Sequence, residues 1–165
     1  MCNNDTAKNL KDQFGRLPVF CVVYFPWYAN AMGPHRSLAS LGLGHLRKDR
    51  GSAFYPMLGP YDSGDPSVVE AHLRLIKESR IDCLFASWWG LYVQHPYDRH
   101  ITTNIDLIAR ETTRHGMKII IYESDRPGLT VEKVVSELEF AAQRWGEASV
   151  KIHNKPVVYM GAGRP

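Results

Sequence analysis

The chain has 165 residues, of which 44% are hydrophobic and 22% charged, with a formal net charge of +3. These are globular proportions, and they exclude wholesale disorder and collagen-like repeats. The basic residues are scattered and the densest group, Arg47-Lys48-Asp49-Arg50, is broken by an acid, so no nucleic-acid partner is expected. No stretch approaches the roughly 18 apolar residues of a membrane span, and residues 1–11 lack the apolar core of a signal peptide.

Residues 1–17 read as a polar N-terminal tail and residues 18–165 as the folded domain. Four apolar runs follow, at residues 19–25, 81–88, 117–122 and 156–160, each rich in Val, Ile, Tyr, Phe or Trp. Their length favours strands, and their near-continuous hydrophobicity suits strands covered on both faces, as in a parallel sheet. Cys21 and Cys83 lie inside two of these runs and are expected to be unbridged, behaving as small buried hydrophobes. Cysteine and histidine spacings give no metal site.

Helical patterns separate the later runs. Asp65 and Pro66 open the first, Asp as the cap and Pro at the first helical position, with Val69, Leu73 and Ile76 recurring on one face. The second starts near Asn104, with Ile105 and Ile108 inward, and stops at Gly116. The third is capped by Thr130, with Leu129 and Val134 placed for a hydrophobic staple. Val131, Val134, Val135, Leu138, Ala141, Ala142 and Trp145 follow at helical spacing up to Gly146. Alternating strands and helices require a mainly parallel sheet with right-handed crossovers. Four such strands form either a small open sheet or the first half of a (β/α)8 barrel. A complete barrel takes about 250 residues, and the chain stops just after its fourth strand, so a fragment of a longer protein is expected. A half barrel leaves its outer strands unpaired, which predicts self-association.

The connection over residues 29–64 is long, and it leaves strand one at the end where barrel active sites assemble. Aromatic residues gather at that end: Tyr24-Phe25-Pro26-Trp27-Tyr28 after the first strand, Ser87-Trp88-Trp89-Gly90 after the second, and Phe54-Tyr55-Pro56 with Tyr61 in the connection. Aromatic faces beside hydrogen-bonding groups suit sugar rings; they can equally plug the mouth and bury area.

The segment from Phe54-Tyr55-Pro56-Met57-Leu58-Gly59-Pro60-Tyr61-Asp62-Ser63-Gly64-Asp65-Pro66 to Ala71-His72 resembles the signature of the endo-α-mannosidase glycosidases, glycoside hydrolase family 99. Tyr24-Phe25-Pro26-Trp27-Tyr28-Ala29-Asn30 and Ser87-Trp88-Trp89-Gly90 are similar to that family's first and second strand motifs. The resemblance covers roughly residues 18 to 160. It implies a (β/α)8 barrel, no cofactor, no metal, and an α-mannoside glycan as partner, with family members working in the Golgi or outside the cytoplasm. It also implies that Tyr24 and Trp27 line a sugar cleft, that Trp88 or Trp89 stacks on a sugar, and that Glu123 contacts sugar hydroxyls.

The strand-three motif departs from the family, because Ile121 stands where the family has His and Ser124-Asp125 replaces Pro-Tyr. The family's two essential glutamates, three residues apart in a Glu-Trp-His-Glu type segment, have no counterpart here. Glycoside hydrolysis ordinarily needs two positioned carboxyl groups. Glu123 and Asp125 could make a substitute pair, but a solvated loop start is the favoured reading for both. The expectation is therefore a sugar-binding part of a glycosidase, inactive alone, with a non-catalytic binding or structural module as the alternative. His72 is assigned to packing between helix and barrel, and His45, His95, His100, His115 and His153 to the surface.

Overall fold

The computed structural model describes residues 4–29, 56–57, 59–92, 98–123 and 128–161. In chain order its elements are α1 (Asn4–Phe14), β1 (Cys21–Tyr24), α2 (Pro66–Glu78), β2 (Cys83–Trp88), α3 (Asp98–Arg114), β3 (Lys118–Glu123), α4 (Val131–Trp145), β4 (Lys151–Ile152), β5 (Lys155–Pro156) and β6 (Val158–Met160). The main sheet has the order β1-β2-β3-β6, every neighbour parallel. A doubly wound sheet reverses its strand order at a switch point; this one advances in a single direction, as a barrel wall does.

The helix ends are set by the expected chemistry. Asp65 Oδ1 accepts from the Ser67 amide at 2.8 Å, with Pro66 opening α2. Thr130 Oγ1 accepts from the Lys133 amide at 3.4 Å at the start of α4. Gly116, at φ 65°, turns the chain out of α3 at a position where a Cβ would be strained. The helix α3 begins at Asp98, one and a half turns before the expected start at Asn104, because Ile101 extends the buried stripe towards the N-terminus.

Strand alternation divides the core in two. Leu84, Trp88, Ile119 and Ile121 face the outer helices and pack with Val69 and Leu73 of α2, Ile101, Ile105 and Ile108 of α3, and Ala141 and Trp145 of α4. Cys83 and Ile120 face the other way, where Leu10 and Phe14 of α1 cover them together with Phe85 and Val157.

The segment read as a polar tail therefore holds a helix. It is tied down by polar groups: the Gln13 amide oxygen accepts from the Lys151 amide at 2.9 Å and Asn9 Oδ1 accepts from the His153 amide at 3.1 Å. Only one side of α1 is apolar, through Leu10 and Phe14, too short a stripe to stand out in the sequence. The fourth run also differs from its reading. Its first residue, Pro156, ends the hairpin β4–β5, which reverses at His153 and Asn154, both at positive φ (50° and 61°) as a type I′ turn requires. Only Val158–Met160 joins the main sheet.

Two further expectations are corrected. Cys21 and Cys83 are opposite residues in the β1–β2 register, with Cα atoms 4.5 Å apart, and they form a disulfide. Strand register decides such a pairing, and spacing in the sequence does not reveal it. On α4, Val131 and Val135 are 75% and 48% exposed while Glu137 is fully buried, so the inward stripe passes through a carboxyl group. β1 and β6 are the outer strands, and the face above α1 leaves Val23, Phe25 and Tyr159 exposed.

Candidate functional site

The C-terminal ends of β1, β2, β3 and β6 lie along one rim of the sheet, since all four strands are parallel. At the end of β1 the indole of Trp27 stacks on Phe25, with centroids 4.5 Å apart, and lies 5.2 Å from the indole of Trp89 beyond β2. Both tryptophans are half-buried and pack against the main core. The rim continues through Tyr28, 6.3 Å from Trp27, to Tyr61 at 5.6 Å and then to His72 at 4.8 Å.

Tyr24 is buried and faces α2, its hydroxyl hydrogen-bonded to His72 Nδ1 at 2.9 Å. Burial, with the neighbouring Tyr61 phenol, holds the Tyr24 phenol well above its ordinary value. Burial and Tyr28 push Tyr61 up to about 12. Burial alone lowers His72. At neutral pH the cluster is thus two protonated phenols and a neutral imidazole, a hydrogen-bonding wall without charge.

Trp88 shares the helix-facing side of the sheet with Tyr24. It is fully buried, stacks on Phe140 at 5.6 Å, meets Trp145 edge-on at 5.1 Å, and donates from Nε1 to Thr102 Oγ1 at 3.1 Å. Glu123 is the register partner of Trp88 on β3 and is only 1% exposed, so it is not a solvated loop start. Asp125, His45 and His95 lie outside the described residues, as does most of the long connection.

The structure thus brings Trp27 and Trp89 together, joins Tyr24 to them through a relay of rings, and turns Trp88 towards the helices. Strand alternation at the end of β2 makes this division: Trp88 follows Leu84 and Ala86 to the helix side, and Trp89, just past the last paired residue, packs against Trp27.

Buried polar groups behind the rim fix its backbone. Asn104 donates from Nδ2 to the Pro26 carbonyl at 2.8 Å, and His100 Nε2 lies 3.3 Å from the Trp27 carbonyl. The Ser63 amide donates to the Tyr28 carbonyl at 2.8 Å, while Ser63 Oγ accepts from the Tyr28 amide at 3.1 Å. His100 is therefore not a surface residue, and its ring serves the β1 loop. His115, by contrast, meets Glu70 Oε2 at 2.7 Å near the surface. Sequence reading missed Asn104 and His100 as anchors. The available signal was polarity on an inward stripe: His100 and Asn104 each precede a buried isoleucine on α3. Such a group is retained where a backbone needs a partner.

Chemically, partly buried indoles such as Trp27 and Trp89 are of the kind that stacks on the apolar C–H faces of a sugar, whereas Glu123 is buried on the helix-facing side of the sheet with Ile119, Ile121 and Trp88. Among the described residues no group of three or more His, Cys, Asp or Glu could hold a metal ion, and no helix is long and apolar enough to cross a membrane.

Comparison with known proteins follows the same outline. The sequence profile of glycosyl hydrolase family 99 matches residues 26–162. A glycoprotein endo-alpha-1,2-mannosidase of Xenopus laevis is 45% identical over 79 residues, which are 48% of this chain and 18% of the relative. A human glycoprotein endo-alpha-1,2-mannosidase-like protein is 51% identical over 41 residues, 25% of this chain and 9% of the relative. The GH99 endo-alpha-mannosidase of Bacteroides thetaiotaomicron superposes with a TM-score of 0.69 at 23% identity, over 88% of this chain and 42% of that one. The chain therefore spans less than half the length of these relatives, and its fold is the corresponding part of a (β/α)8 barrel.

Proposed function

Because the chain belongs to glycosyl hydrolase family 99, we propose that it forms the sugar-holding strand ends of an endo-α-mannosidase-like glycosidase acting on internal α-mannosidic bonds of N-glycans or mannans. The observation that carries this is the pair Trp27 and Trp89, 5.2 Å apart at the C-terminal rim of a parallel sheet. In such sheets ligands bind at that rim. In this reading Trp27 and Trp89 stack on mannose rings, and Glu123, buried on the same face as Trp88, supports the rim from behind. Tyr24 shapes the wall through His72 and Tyr61, and Trp88 props β2 from behind. Residues 18–165 act as one unit.

Hydrolysis requires a second carboxyl group at a defined distance from the first, one to protonate the leaving oxygen and one to assist attack. The sequence contains no Glu-x-x-Glu segment to supply such a pair. The reading is therefore recognition without turnover by this chain alone, and it includes self-association through the outer edges of β1 and β6, which pair with no further strand among the described residues, beside the exposed Val23, Phe25 and Tyr159.

Calorimetric titration of the purified chain with α-linked manno-oligosaccharides tests the reading, alongside an assay for released reducing ends. Binding that is lost in Trp27→Ala, with no hydrolysis, is the expected result. Failure of the wild-type chain to bind any α-mannoside overturns the recognition claim, and hydrolysis overturns the claim that it is inactive alone.

A further inference from the structure

Glu137 lies on the inward stripe of α4 with no solvent exposure, at a position where an apolar side chain would pack at lower cost. Its Oε1 accepts from two successive backbone amides, Leu91 at 2.5 Å and Tyr92 at 3.2 Å. Those amides begin the loop that leaves Trp89, immediately after Gly90, whose φ of 80° turns the chain there. The same helix face holds the loop twice more: Ser136 Oγ lies 3.1 Å from the Tyr92 hydroxyl, and Lys133 Nζ sits 5.8 Å from the centre of the Tyr92 ring. The preceding Trp88 is clamped by Phe140 one turn further along α4.

Trp89 is therefore suspended between two fixed points on one helix, Trp88 before it and the Leu91–Tyr92 amides after it. We propose that Glu137 is a positioning residue that holds the Gly90–Tyr92 backbone so that Trp89 stays against Trp27 as a preformed stacking surface. Its effect on sugar affinity rests on the function proposed above; its effect on Trp89 does not. A stacking surface gains affinity by being ordered before the ligand arrives, since a mobile indole must be immobilised on binding.

The test uses the 165-residue chain with Glu137→Ala, Glu137→Gln and, as a control, Glu111→Gln, a buried carboxyl group on α3 paired with Arg110 and Arg114. Three quantities are read at a temperature where every variant is folded: hydrogen exchange of the Leu91 and Tyr92 amides, the indole N–H resonance of Trp89, and affinity for an α-linked manno-tetrasaccharide. Glu137→Ala is expected to speed exchange at both amides by about 100-fold, to shift the Trp89 resonance, and to weaken binding by about tenfold. Glu137→Gln, which keeps a carbonyl oxygen at the same place, restores most of all three, and Glu111→Gln leaves them unchanged. If Glu137→Ala does not fold, Glu137→Asp draws the acceptor back by one methylene and carries the same expectations in weaker form.

An unmoved Trp89 resonance, or equal effects in the Glu111 control, overturns the proposal. A moved Trp89 with unchanged affinity overturns the preformed surface. If the wild-type chain does not bind the tetrasaccharide, the proposed function fails, and the amide and indole readouts still decide the role of Glu137.

Discussion

Trp88 and Trp89 are adjacent in sequence and differ in burial, and the proposed function assigns recognition to Trp89, so paired alanine substitutions should separate stability from recognition. Trp88 is fully enclosed between Phe140, Trp145 and Thr102. Removing such a side chain from a core costs about 3–5 kcal/mol, and stranding the Thr102 hydroxyl adds about 1 kcal/mol. A total of about 5 kcal/mol is a large share of the roughly 5–15 kcal/mol that holds a domain together. For a chain of this size it corresponds to a fall of about 10–20 °C in Tm. Trp88→Phe keeps a ring against Phe140 and loses the indole N–H, so its cost should be about 1–2 kcal/mol. Trp89 is half-buried, and Trp89→Ala should cost about 1 kcal/mol while abolishing mannoside binding. Urea unfolding of the three variants, with sugar titration at low temperature, reads both effects. Equal destabilisation by Trp88→Ala and Trp89→Ala, or unimpaired mannoside binding by Trp89→Ala, would refute the division of labour.

Two more outcomes follow from groups away from the indoles. Burial holds the His72 pKa in the folded chain below its unfolded value, so the fold favours the neutral ring. The associated stability is fully present above the unfolded pKa of about 6.5 and is lost as pH falls through the lower folded value. Denaturation midpoints should decline between pH 7 and 5, and His72→Gln should flatten the decline; an unchanged slope in that variant removes His72 as its source. The disulfide between Cys21 and Cys83 takes up two of the three cysteines in the sequence. Thiol titration of the denatured chain should therefore count one without reductant and three after reduction. Closing a loop across 62 positions should contribute about 4 kcal/mol, read from the Tm before and after reduction. Three thiols in the unreduced chain would restore the unbridged reading.

Much of the scaffold was legible in the chain. Asp65-Pro66 and Thr130 mark helix starts because a cap acts within three residues of itself, and apolar runs mark strands because burial on both faces leaves no alternation to hide. What escaped depends on contacts between distant segments. α1 has too narrow an apolar stripe to announce itself, and it docks by amide groups onto a hairpin more than 130 residues later. The cysteine pairing requires the β1–β2 register. The choice between Trp88 and Trp89 requires knowing where β2 ends, since one residue of shift exchanges the two faces. Glu137 escaped for a related reason: a carboxyl group on a helix is normally taken as solvated, and only the neighbouring loop shows why this one is not.

The bond from Asn104 to the Pro26 carbonyl spans 78 positions, and that from Glu137 to the Leu91 amide spans 46. As the polypeptide is made from its N-terminus, the aromatic motifs emerge long before the side chains that orient them. The first and second strands can pair while their tips are still loose, and a finished mouth has to wait for α4. Shortened versions ending before residue 137 should therefore retain sheet structure yet fail to grip a ligand, which makes recognition the last property the folding chain acquires.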